Sequence, residues 1–85
     1  MKLILPTEFK DLFDNDEHFY DEDKNTNKRI VRVYDKNEIL IAKSIQTMNK
    51  NKGKMRYFGV QNYREHLSEE YIKHEEAVKK RTYKK

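Results

Sequence analysis

Apolar residues fall in short clusters between charged stretches, and their spacing alternates between strand-like and helix-like periods. Met1 to Leu5 predicts a short edge strand that Pro6 ends, because proline has no N–H for a ladder. Thr7 then predicts a helix N-cap, with Phe9, Leu12 and Phe13 at i, i+3 and i+4 as one apolar face. So brief a helix needs a partner surface to persist. Asp14 to Asp23 (D-N-D-E-H-F-Y-D-E-D) predicts an acidic linker anchored by Phe19 and Tyr20, which Asn25-Thr26-Asn27 continues as loop.

Arg29 to Tyr34 (R-I-V-R-V-Y) is β-branched and aromatic and predicts a strand. Asp35-Lys36-Asn37 has the chemistry of a turn, since Asp and Asn bond their own backbone and tolerate left-handed conformations. Glu38 to Thr47 predicts the hairpin partner, with Ile39, Ile41 and Ile45 in period-two parity. A helix over Glu38 to Met48 is its rival, because Ile41, Ile45 and Met48 also fit helical spacing. Asn49 to Lys54 predicts a polar turn around Gly53, and Met55 to Val60 a third strand. Consecutive strands with short connections pair as an antiparallel meander.

Lys54 to Tyr63 (K-M-R-Y-F-G-V-Q-N-Y) joins this last strand to a helix. Asn62 as N-cap, with Glu65 three residues on, forms a capping-box variant. From there Tyr63, Leu67, Tyr71, His74 and Val78 make one helical stripe, expected to lie on the sheet. Early Glu65, Glu69 and Glu70 and late Lys79, Lys80 and Arg81 suit the helix dipole. The pattern thus predicts an α+β fold: a three-stranded antiparallel sheet packed by one C-terminal amphipathic helix, with a short N-terminal helix and acidic extension. The expected bounds are 1–27 for the extension, 28–81 for the sheet-and-helix domain and 82–85 for a basic tail.

Composition changes this picture in one respect. The 85 residues suffice for a single domain, which at this size buries about 60–65% of its unfolded surface. Charged residues reach 40%, and the net charge of +4 conceals a split. Residues 1–25 hold three basic and eight acidic groups, a net of −5; residues 26–85 hold sixteen and seven, a net of +9. Such asymmetry points to nucleic-acid binding with an acidic arm. Without cysteine there is no disulfide or thiolate metal site, and the longest apolar run, Leu3-Ile4-Leu5, is too short for a membrane span or a signal-peptide core. The chain is expected to be cytoplasmic, that of a host cell if phage-encoded, with no membrane partner.

Candidate catalytic groups are sparse. His18, His66 and His74 lack metal-ligand spacing, Ser44 and Ser68 sit in no nucleophile-elbow pattern, and no phosphate-binding glycine loop exists. Asp14 and Asp16 begin like a calcium loop, but Phe19 stands where that loop needs glycine. No enzyme activity, metal or cofactor is expected. The remaining signal is basic residues interleaved with aromatics on the predicted strands: Arg29, Arg32, Lys43, Lys50, Lys52, Lys54, Arg56 and Tyr57 as a nucleic-acid surface. A sheet of two or three strands can lie in a DNA major groove, where Arg reads guanine and Lys holds phosphate.

V-Y-D-K (33–36), I-A-K (41–43), G-K-M-R-Y-F-G-V-Q-N-Y (53–63) and E-E-A-V-K-K-R (75–81) occur in the order strand, strand, strand, helix. Over residues 32–81 the chain resembles the Apetala-two/ethylene-response-factor DNA-binding domain, which also occurs in mobile-element and phage proteins. The resemblance implies a sheet that enters the major groove with the helix behind it, and places Lys43, Arg56 and Tyr57 on or near the DNA. The main expectation is a small non-enzymatic nucleic-acid-binding protein, DNA favoured. The alternative is a phage-type inhibitor or adaptor that binds a host enzyme or defence nuclease through Asp14, Asp16, Glu17, Phe19, Tyr20, Asp21, Glu22 and Asp23. A homodimer, with the acidic arm of one copy on the basic face of the other, is a further possibility.

Overall fold

The computed structural model describes residues 1–47 and 54–83, with side chains to residue 79. Its elements are β1 (Lys2–Leu3), α1 (Pro6–Asp14), β2 (Phe19–Lys24), β3 (Lys28–Tyr34), β4 (Leu40–Thr47), β5 (Lys54–Gly59), a 3-10 turn (Tyr63–His66) and α2 (Glu69–Tyr83). The strands form one antiparallel sheet in the order β1-β5-β4-β3-β2. The expected β3-β4-β5 meander is present, and Glu38–Thr47 resolves in favour of strand. The expected three-stranded sheet is corrected to five strands. The turn expected over 49–54 falls, except for Lys54, outside the described residues.

The two additional strands come from the segment assigned to an extension. Lys2 and Leu3 pair with Gly59 and Phe58 on one edge. On the other, Phe19–Lys24 pairs along its length with Arg29–Tyr34, so the acidic linker is an edge strand. Three carboxylates give F-Y-D-E-D-K little intrinsic strand preference. Cross-strand partners override it: Asp21 lies opposite Arg32, and Asn25 Oδ1 accepts the N–H groups of Asn27 and Lys28 to close the hairpin.

The helix that covers the sheet is α1, which lies over β4 and β5. Phe9 and Leu12 are buried against Val31, Val33 and Ala42, and Ile4, Ile41, Tyr63 and Leu67 complete the core. Ile41 enters this core through a bulge: the register steps from Val33↔Ala42 to Tyr34↔Leu40, leaving Ile41 as the extra residue. The N-cap of α1 is Leu5 rather than Thr7. Pro6, whose missing N–H costs nothing in a first helical turn, begins the helix, and Glu8 accepts the Leu5 N–H at 2.9 Å.

The C-terminal stripe is not one helix on the sheet. Tyr63–His66 is a 3-10 turn, Asn62 makes no side-chain cap, and α2 starts only at Glu69. Ser68 makes the break. Its hydroxyl accepts the Tyr71 N–H at 3.1 Å, while its N–H and O–H donate to the Asp11 carboxylate at 2.8 and 2.6 Å. The new helix is thereby capped and anchored beside α1, with a second tie between Tyr71 and Thr7 hydroxyls at 3.0 Å. Tyr63 and Leu67 are buried and Tyr71 is half-buried, but His74 and Val78 are exposed. No helix among the described residues is long and apolar enough to cross a membrane.

Candidate nucleic-acid interface

Because strand side chains alternate between faces, the register sorts the basic residues. α1 occupies the face of Val31, Val33, Ala42, Ser44 and Tyr57. The opposite, helix-free face is laid out in rows. One row runs Leu3, Phe58, Lys43, Arg32, Asp21 from β1 to β2. The next runs Arg56, Ile45, Ile30, Asp23, and a third Lys54, Thr47, Lys28. Phe19 and Tyr34 form a cross-strand pair at the other end. The face combines half-buried apolar groups with five cations, and its charge shifts from basic at β5 and β4 to acidic at β2.

Four predicted site residues therefore meet on one surface: Arg32, Lys43, Lys54 and Arg56. Lys28 joins them; it lies one residue before the predicted strand, and only the register reveals it. The Lys43 ammonium lies 5.9 Å from the centre of the Phe58 ring. Lys28, Lys43, Lys54 and Arg56 form no ion pair among the described residues. Arg32 differs: its Nη2 donates to Asp23 at 2.6 Å and its Nε to Asp21 at 2.9 Å, while the Tyr34 hydroxyl donates to Asp21 at 3.0 Å. These contacts, Asp23 foremost, raise the pKa of a guanidinium already charged at every physiological pH.

Arg29 and Tyr57 fall on the other face. Tyr57 packs on Phe9, ring centres 5.1 Å apart, and Arg29 pairs with Glu22. Both line an apolar cleft of about 360 Å³ between α1 and the sheet, with Phe13 and Met55. The structure thus does not bring these two together with the other predicted surface residues: period-two parity puts them with Val31 and Ser44. Lys50 and Lys52 lie outside the described residues.

The acidic segment is likewise divided. Asp14 ends α1 and accepts from Lys10; Asp16 and Glu17 sit in the following turn. Phe19, Asp21 and Asp23 face the helix-free side, and Tyr20 and Glu22 the other, where Tyr20 packs on Phe13 at 4.7 Å. No group of histidine and carboxylate side chains among the described residues is arranged to hold a metal ion. His18 and His66 approach edge to face at 6.1 Å beside Asp35. The Asp35 carboxylate already accepts the Asn37 and Ile39 N–H groups, and His18 Nδ1 is bonded to the Leu12 carbonyl, so these are structural ties. No protein-family model, curated protein or solved structure matches the chain.

Proposed function

We propose that this protein is a non-enzymatic nucleic-acid-binding domain that uses its helix-free sheet face. One observation carries the reading: Lys28, Lys43, Lys54 and Arg56 share one sheet face with Phe58, and among the described residues no carboxylate is paired to them. Phosphate neutralisation by such cations supplies affinity, and apolar groups between them supply contact area for bases or sugars. The rival reading, an inhibitor engaging a host enzyme through the acidic segment, draws on exposed Phe19 and Tyr20. Its strand carboxylates, however, are engaged by Arg29 and Arg32 of the same chain.

Fluorescence anisotropy with labelled oligonucleotides, DNA and RNA, tests the proposal. Four phosphate contacts predict an affinity loss of about 50- to 150-fold between ~50 and ~200 mM salt. Lys43→Ala and Arg56→Ala should each weaken binding and flatten that slope, whereas Lys10→Ala, on the other side of the sheet, should change neither. Absence of binding at the lower salt removes the reading.

A further inference from the structure

We infer that the helix-free face takes a single strand of nucleic acid laid along its β5 side, rather than a duplex groove. The inference rests on the function proposed above and concerns only its substrate. Along the row from Leu3 to Asp21 five strands stand side by side, four spacings of about 4.8 Å, or roughly 19 Å of backbone. Even the next row, which lacks β1, spans about 14 Å. The major groove is about 12 Å wide and admits a helix or a two-stranded ribbon. A narrower sheet would enter; this one meets the groove walls with its own edges, β1 and β2.

The chemistry of the face agrees. An unstacked base needs an apolar or aromatic platform with a cation close by for its phosphate, and a paired base offers no ring face to such a platform. Phe58 is that platform. Leu3 and Lys43 are its cross-strand neighbours, the ammonium of Lys43 stands 5.9 Å from its ring centre, and Ile45 continues the apolar surface one row on. Arg56 and Lys54 follow at two-residue steps along β5, about 7 Å apart, so cations recur along the strand as phosphates recur along a chain. The acidic β2 edge repels phosphate and sets the β5 side as the path.

The test compares a DNA strand of about 12 nucleotides, the RNA strand of the same sequence and the corresponding duplex at ~50 mM salt. At least one single strand should bind about tenfold tighter than the duplex, and the ratio of the two strands tells DNA from RNA. Phe58→Leu keeps the apolar volume and removes the ring; it should weaken the single strand at least about fivefold and leave duplex binding unchanged. Leu3→Ala, at the exposed cross-strand neighbour of Phe58, makes the same comparison without removing a charge if the Phe58 variant loses its cooperative melting. Duplex binding equal to or tighter than the single strands overturns the inference while the proposed function stands. So does a sedimenting dimer that single strands fail to dissociate. No binding to any of the three overturns both.

Discussion

Arg32 and Asp23 are joined across the β2–β3 hairpin by a 2.6 Å contact, two residue pairs away from the Arg32–Asp21 register position. The central arginine of the helix-free face is thereby held by its own edge strand. Replacing Asp21 and Asp23 together by Asn removes two negative charges from the face and frees Arg32 to meet phosphate. Affinity for a single strand should rise about 3- to 10-fold at ~50 mM salt, and the salt dependence should steepen by about one contact. The pairs are solvent-exposed, so thermal stability should fall only slightly. Unchanged affinity would show that Arg32 lies off the path.

The same hairpin explains where the sequence was readable. R-I-V-R-V-Y, E-I-L-I-A-K-S-I-Q-T and M-R-Y-F-G-V carry β-branched and aromatic residues in period two, and they match β3, β4 and β5 to within two residues. F-Y-D-E-D-K carries no such signal. Its strand exists because Arg29 and Arg32 wait opposite, a long-range fact invisible to local propensity. Charged residues on a short strand are nevertheless what an edge position tolerates, and they discourage pairing with other chains. The break before α2 was readable from Ser68-Glu69-Glu70, a capping serine with acids in the first turn, but the unbroken stripe from Tyr63 to Val78 masked it. Periodicity also could not say which helix covers the sheet. Phe9, Leu12 and Phe13 win because α1 follows β1 directly and lies over β4 and β5. The register puts Arg29 and Tyr57 on the face that α1 covers and Lys28 in the row of Lys54 on the other.

Glu8 and Tyr63, 55 residues apart, fasten the N-terminal helix to the turn after β5. The buried Glu8 carboxylate accepts the Tyr63 hydroxyl and Arg64 Nη1, each at 2.8 Å, and its other oxygen accepts the Leu5 N–H. Burial, followed by the Glu8 carboxylate, raises the Tyr63 phenol above its ordinary pKa. Tyr63→Phe removes one donor and should cost about 1 kcal/mol. Glu8→Gln should cost about 1–3 kcal/mol, because its amide NH2 must face a donor whichever way it turns. A double-mutant cycle read by urea unfolding should give a coupling of at least about 0.5 kcal/mol. Strict additivity would mean the two groups act independently.

Gly59 lies against the same tyrosine. A Cβ at this position would stand 2.8 Å from Tyr63 Cγ and 3.0 Å from Ile4 Cγ2, and the buried ring has nowhere to withdraw. Gly59→Ala should therefore destabilise by about 1–3 kcal/mol through overpacking, with each kcal/mol lowering Tm by about 4–8 °C. Ser44→Ala is a contrasting change in the neighbouring strand, since it adds no atom to the core and should leave the tyrosine in place. If Gly59→Ala melts with the unaltered protein, the Tyr63 ring is looser than its packing implies.

Asp35 gives the fold an acid limit. Its carboxylate accepts the Ile39 N–H at 3.0 Å and the Asn37 N–H at 2.8 Å, closing the β3–β4 turn in which Glu38 takes a positive φ of 64°. The Ile39 contact is the largest cause holding its pKa below the ordinary 3.8; burial opposes, and the Asn37 N–H, His66 and His18 add to the lowering. A carboxylate whose folded pKa is depressed contributes stability that is fully present above its unfolded value. That contribution is lost as pH falls toward and through the folded value. Stability should accordingly be level from about pH 7 to about pH 5 as far as this group is concerned, then decline below about pH 4. Asp35→Asn keeps an oxygen acceptor for the turn but has no charge to lose. Its Tm should start lower at neutral pH and fall less steeply into acid, so that the two melting curves draw together as pH falls through the folded value. Parallel curves over that range would show that the Asp35 turn does not set the acid limit.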